Sequence, residues 1–363
     1  MTRETYLDWN ATAPLRPAAA SAVAEALALG GNPSSVHRRG RAARRLVENS
    51  RAAVAALVGA PAEAVIFTSG GTEANQLALL GSGRQRMLVL AIEHSSVLQA
   101  VPDAERIPVD GDGIVDLDAL TALLAADRRP ALVSVMLANN ETGVIQPVGE
   151  IAEIAHARGA QFHCDAVQAA GKIPLLIAET GADLMTLSAH KIGGPSGIGA
   201  LVSSVEVAPL LRGGGQERNR RAGTENLSGV AGFAAAASAA NPGEYDLVCG
   251  LRDRLEAALP EAIVIADGVL RLPNTSAIAM PGVPAETQII AFDLDGVMVS
   301  AGAACSSGKV GPSHVLAAMR IAPELANSTI RVSLGWSTTE ADIAHFIDAW
   351  TALYRRTRGR KAA

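Results

Sequence analysis

Residues 184–191 read Leu184-Met185-Thr186-Leu187-Ser188-Ala189-His190-Lys191, and glycines follow at 193, 194, 197 and 199. The apolar start reads as a buried strand; the chain then passes through a hydroxyl, an imidazole and an amine into permissive backbone. Working outward, residues 65–67, 87–92, 131–137, 161–164 and 200–202 also read as short buried strands. Helical patterns are predicted over 36–57, 73–80, 117–126 and 148–158. Strands alternating with helices of this length imply βαβ units and a mostly parallel sheet covered by helices. The fold class is α/β.

Beyond residue 240 the pattern changes. Ala240-Asn241-Pro242-Gly243-Glu244 ends a long Ala-rich helical stretch in turn-forming residues, which marks a domain boundary. After it the sequence predicts a helix over 246–259, strands near 263 and over 275–279, and a helix over 286–292. A strand over 329–333 and a last helix over 339–354 follow, with the basic end from Arg355 to Lys361 expected to be frayed and solvated.

The chain has 363 residues, 31 basic and 36 acidic, for a net charge of −5. Its pI of about 5.8 removes the positive field that nucleic acid or anionic lipid would attract. No stretch is apolar for long enough to span a membrane, and the start has no secretory signal, so a cytoplasmic location is expected. Cys164, Cys249 and Cys305 are odd in number and form no C-x-x-C pair, which argues against a disulfide framework and a zinc ribbon. Gly81-Ser82-Gly83 lacks the third glycine of a dinucleotide fingerprint, and no P-loop occurs.

Only four of the basic residues are lysine: Lys172, Lys191, Lys309 and Lys361. Lys191, in a loop at a strand end, suits an amine that must reach a carbonyl and a phosphate together. Asp165 closes another strand. Its neighbours His163 and Cys164 invite a metal reading, but successive strand side chains point to opposite faces, which argues against chelation by all three. A buried Asp there, with Gln168 just beyond, can instead keep a pyridine nitrogen protonated, the condition that makes pyridoxal phosphate an electron sink. In Thr68-Ser69-Gly70-Gly71-Thr72-Glu73-Ala74-Asn75 a strand runs through glycines into a helix, a geometry that aims free N–H groups at a phosphate. Cys305 lies among Ala, Ser and Gly with Lys309 close by, which suits an exposed, mobile thiol. Cys164 and Cys249 read as small apolar fillers. His37, His156, His163, His314 and His345 read as structural or surface histidines.

Together these segments resemble the cysteine desulfurases of the NifS and IscS type, within the class V aminotransferase fold. The resemblance is carried by Tyr6-Leu7-Asp8 with Asn10-Ala11-Thr12, Gly31 to Ser35 with His37, Thr68 to Asn75, Glu93-His94, and Asn139 to Gly143 with Gln146-Pro147. It continues through Asp165 with Gln168, Ser188 to Lys191, Gly213 to Glu217, Arg221 to Thr224, Ala303 to Gly308, and Ile330 to Gly335. It departs at Trp9 and Ala13, and at Gly71, where alanine is common.

The resemblance implies a large cofactor-binding domain over 15–243 and a small α/β domain formed by 1–14 and 244–363. The small domain would carry the cysteine loop and the arginine for the substrate carboxylate. It implies a homodimer with pyridoxal 5'-phosphate bound as an imine to Lys191. His94 would stack on the ring, and Asp165 would meet the ring nitrogen. Gln168 and Asn140 would lie near the phenolic oxygen. Gly71, Thr72, Ser188 and His190 would surround the phosphate, joined by Thr224 from the partner subunit. L-cysteine would be held by Arg331 and Asn32, and its sulfur would pass to Cys305 as a persulfide, leaving alanine. The sulfur would go on to an acceptor protein such as an iron-sulfur cluster scaffold. No metal of its own is implied, although Cys305 could ligate a transferred cluster. Lys191, Cys305 and His94 are the catalytic candidates; a selenocysteine lyase or an aminotransferase of the same fold is the alternative.

Overall fold

The computed structural model describes residues 3–259, 261–302 and 313–361. A seven-stranded sheet forms its centre, in the order Val65–Thr68, Gly199–Ser203, Leu184–Ser188, Gln161–Asp165, Ala131–Met136, Arg86–Leu90 and Glu105–Ile107. Gly199–Ser203 is antiparallel to both neighbours, and the other strands run one way. Four of the central strands are buried at almost every residue, as expected where helices cover both faces of a parallel sheet.

The helices follow the apolar pattern, with differences at the ends. The predicted helix over 36–57 begins at Arg38, because His37 is extended and its ring accepts the Gly40 N–H at 3.3 Å as an N-cap. Pro17–Leu29 is a helix the sequence pattern did not single out: so much of it is alanine that apolar and small positions blur into one another. The last helix, Glu340–Lys361, continues through the segment expected to fray.

A second sheet is antiparallel, in the order Ser300–Ala301, Thr329–Ser333, Thr275–Ala279 and Ile263–Val264. Leu7, Tyr245, Val248, Ile278, Phe292, Ile330, Phe346 and Trp350 share one core on it. The N-terminal segment belongs to this region, since Thr5–Tyr6 pairs in parallel with Val297–Met298 and Asp8 bridges to Ser333. A strand of two residues carries too little alternation to be read from sequence. Trp9 fits at its departure from the family pattern because Gly335 has no Cβ, which would overlap the indole, and because the ring meets Trp336 edge-on at 4.7 Å. No described helix is long and apolar enough to cross a membrane.

Candidate active site

Five strands of the large sheet run into the site at their carboxyl ends, the edge where open α/β sheets bind ligands. Val65–Thr68 leads to Gly71 and Thr72, Arg86–Leu90 to His94, and Ala131–Met136 to Asn140. Gln161–Asp165 ends on Asp165, and Leu184–Ser188 leads through a short turn to Lys191. With Arg331 from the second sheet, these residues line a cavity of about 390 Å³, together with Gln168, Ser188 and His190. The structure thus gathers most of the residues singled out from sequence.

Asp165 is buried with both oxygens held: Asn75 Nδ2 donates to Oδ2 at 2.8 Å and the Val167 N–H to Oδ1 at 3.0 Å. Such a carboxylate is fixed in place and faces the cavity as a localised charge. Beneath it lie two groups that burial keeps neutral. Burial, helped by the Asp165 charge, pushes the Glu93 carboxyl well above its usual range, and burial pushes His163 down to about 4. His163 is held by Ser134 Oγ at 2.9 Å and Thr186 Oγ1 at 3.0 Å.

His94 is the N-cap of the helix Ser95–Leu98; its Nδ1 accepts the Ser96 N–H at 3.1 Å and lies 2.8 Å from Ser96 Oγ. An Nδ1 that accepts leaves the ring proton on Nε2. Burial lowers its pKa; Asp165 opposes that shift, and Lys191 and His314 reinforce it. His190 is lowered to about 4 by burial and then by Lys191.

Lys191 Nζ donates to the carbonyl oxygens of Asn10, at 2.5 Å, and Ala11, at 2.9 Å. The Asn10 carbonyl also accepts from Gln168 Nε2 at 3.0 Å. A second amine lies behind it: Lys172 is fully buried, and its Nζ donates to Asn10 Oδ1 and Gln168 Oε1, each at 2.8 Å. Burial, then Lys191 and Arg331, hold Lys172 well below the usual lysine range. Asn10, Asn75 and Lys172 were not among the site residues read from sequence. The signal for Asn75 was present, three positions after Thr72 and hence on the same helix face, and Asn10 lies in the Asn10-Ala11-Thr12 segment that carries the resemblance; for Lys172 there was none beyond the scarcity of lysine.

Arg331 meets the cavity with Nη1 on the Asn140 carbonyl at 3.0 Å and Nη2 on Asp8 at 2.7 Å, while its buried Nε has no partner among the described residues. Asn32 and Thr224 are exposed and do not line the cavity of this chain; Asn32 Oδ1 accepts the Ser34 N–H at 2.8 Å. Cys305, with Lys309, lies outside the described residues. Cys164 is a buried filler as expected, but Cys249 is partly exposed, with its Sγ 3.4 Å from Arg252 Nη2. Of the histidines set aside, His37, His156, His163 and His345 make structural contacts, and His314 reaches the Glu93 carbonyl at 2.9 Å, at the edge of the site.

The residues present fit pyridoxal phosphate. Gly71 opens an eleven-residue helix whose first N–H groups have no intrahelical acceptor, and Thr72 lines the same corner with Ser188 and His190. A Cβ on Gly71 would come within 3.2 Å of Val167, so glycine keeps this corner open. An anion corner, an amine and a fixed carboxylate share one cavity, and the buried Asn75 Oδ1 beside it has no partner among the described residues.

Fold and site together define a class: residues 5–346 match the aminotransferase class-V family, and the chain belongs to it. Among its relatives it is 45% identical to a cysteine desulfurase of Cereibacter sphaeroides, over 94% of each chain. It is 38% identical to the cysteine desulfurase IscS of Dictyoglomus turgidum, over 99% of this chain and 96% of that one. The crystal structure of a NifS-like protein from Rickettsia africae superposes with a TM-score of 0.89 at 38% identity, over 97% of this chain and all of the other.

Proposed function

We propose that the protein is a pyridoxal phosphate-dependent cysteine desulfurase acting on L-cysteine. The observation that carries the reading is the convergence of Lys191, Asp165, His94 and Arg331 on one cavity, in a chain similar along its length to cysteine desulfurases. When bound, the cofactor supplies an electron sink for charge that develops on the substrate carbon.

The chain's own groups do the rest. The first turn of Gly71–Gly81, with Thr72, Ser188 and His190, would hold the cofactor phosphate, and Thr224 would join them from a second copy in a homodimer. Lys191 Nζ would hold the cofactor, and its amine would move the proton at the substrate α-carbon. Asp165 would keep the cofactor's pyridine nitrogen protonated, because a nearby carboxylate favours the charged form. His94 would pack against the cofactor ring, and Gln168 and Asn140 would hold its oxygen substituent. Arg331, oriented by Asp8, holds the substrate carboxylate with Asn32 assisting. Cys305, as thiolate, attacks the substrate sulfur: the bond from sulfur to Cβ breaks as the bond to Cys305 Sγ forms. The carbon skeleton then takes up protons and leaves as alanine. The persulfide passes to an acceptor protein such as an iron-sulfur cluster scaffold.

The deciding experiment is incubation of purified protein with L-cysteine, followed by amino-acid analysis and mass spectrometry of the thiols. Alanine together with persulfide on Cys305 is expected. Release of a keto acid with no sulfur transfer would mark an aminotransferase and overturn the reading.

A further inference from the structure

Asn75 sits one turn after Thr72 on the helix Gly71–Gly81 and is buried against the cavity. Its Nδ2 donates twice, to Asp165 Oδ2 at 2.8 Å and to Ser96 Oγ at 2.9 Å. Ser96 Oγ in turn lies 2.8 Å from His94 Nδ1, which also accepts the Ser96 N–H at 3.1 Å. A single amide thus stands between the carboxylate and the imidazole of the site.

The direction of every bond in this chain of groups is fixed from both ends. At one end a carboxylate accepts and does not donate, so the amide must turn its NH2 group toward Asp165. At the other end Nδ1 receives the N–H of the helix it caps and holds no proton, so its contact with Ser96 Oγ takes the hydroxyl's single proton. Ser96 Oγ is then left to accept, and Asn75 Nδ2 is its donor. The opposite orientation would set the amide oxygen against two acceptors. Asn75 keeps its orientation even though its Oδ1 is buried with no partner among the described residues.

We propose that Asn75 is a positioning residue for the cofactor ring: through Ser96 it joins Asp165 to His94, so that the carboxylate keeps its donor and the imidazole keeps its proton on Nε2. This rests on the reading that His94 and Asp165 meet a bound pyridoxal phosphate. Burial disfavours a second proton on His94, Asp165 favours one, and Lys191 and His314 disfavour it; Glu93, its chain neighbour, is kept neutral by its own burial. A protonated imidazole would offset the charge required at the ring nitrogen and would face a protonated pyridine with like charge. The donor that Asn75 sets on Asp165 stabilises the charged carboxylate. The donor it sets, through Ser96, on Nδ1 stabilises the neutral imidazole.

The test compares the wild type with Asn75→Leu, Ser96→Ala and the double variant, each carrying nitrogen-15 in its histidine rings. In the cofactor-free proteins, the ring nitrogen signals of His94, identified as those missing from His94→Gln, report tautomer and proton affinity through a pH titration. The neutral wild-type ring is expected to carry its proton on Nε2, which tests the chain of bonds without any substitution at Asn75. Asn75→Leu should raise the proton affinity of His94 about threefold or more, the scale of one hydrogen bond. In the Ser96→Ala background the same replacement should raise it less than about twofold, because the link to the ring is already cut. Affinity for added pyridoxal phosphate should fall about tenfold in Asn75→Leu, the scale of a lost bond to a charged group, and stay within about threefold in Ser96→Ala. An unchanged His94 titration in Asn75→Leu, an equal change in the Ser96→Ala background, or a neutral wild-type ring protonated on Nδ1 would overturn the inference alone. So would wild-type cofactor affinity in Asn75→Leu. Wild-type protein that takes up no pyridoxal phosphate would overturn the cofactor reading, and the role at the ring with it, whatever the His94 titration gives.

Discussion

Replacing Lys172 with methionine tests the buried network behind the active-site lysine. Lys172 Nζ donates to two amide oxygens and has no carboxylate partner among its hydrogen bonds. Methionine fills similar space but donates nothing. Asn10 Oδ1 would keep its bond from Asn274 Nδ2 at 3.1 Å, whereas Gln168 Oε1 would lose the donor from Lys172. A bare buried acceptor costs about 1–3 kcal/mol. A second contribution depends on pH. Burial, then Lys191 and Arg331, hold the folded-state pKa of Lys172 well below its usual value, while the unfolded chain titrates near 10.4. Between those two values the unfolded state binds a proton that the folded state has released, so wild-type stability rises with pH and levels off near the unfolded pKa. The slope from this one group is at most about 1.4 kcal/mol per pH unit. The Lys172→Met variant has no such slope, and the other titrating groups are common to both proteins. The stability difference, measured by urea unfolding followed through tryptophan fluorescence, should therefore be largest at about pH 10 and shrink toward about pH 8. A difference independent of pH over that range would refute the argument, because it would mean that the amine keeps its charge in the folded protein.

Replacing Asp165 with Ala should lower desulfuration by about a hundredfold or more, the scale of a lost charge-stabilising group at a reaction centre. Cys164→Ala, on the opposite face of the same strand, should change the rate less than tenfold; equal steady-state rates for the two variants would show the face to be misassigned. Arg51→Met leaves Glu217 buried without the guanidinium that now meets it at 2.6 and 2.8 Å, and should cost about 3–5 kcal/mol in unfolding free energy. A loss below about 1 kcal/mol would show that the pair is not desolvated. His163, depressed to about 4 in the fold against about 6.5 when unfolded, stays neutral in the native core while the unfolded state takes up a proton. Stability should fall by roughly 3 kcal/mol from this group as pH drops from about 6.5 to about 4. His163→Asn should flatten that part of the urea-midpoint profile, and an unchanged profile would contradict it.

Much of this protein is determined by sequence alone. Runs such as Ala131–Met136 and Leu184–Ser188 are apolar at period and length that leave little choice but a buried parallel strand, and the carboxyl ends of these and the neighbouring strands carry Asn140, Lys191, His94 and Asp165 by chain continuity. Residue type then fixes the chemistry these positions can do. The sequence could not show which distant groups support them. Asn10 reaches Lys172 across 162 residues and Asn274 across 264, and Glu141 meets Ser313 across 172. No local periodicity records such pairs. They exist because packing the two cores together buries amides, an amine and a carboxyl that must find partners or bear the cost of desolvation. Strands of two residues such as Thr5–Tyr6 and Ser300–Ala301 are decided in the same way, by the neighbours that accept their hydrogen bonds and not by their own composition.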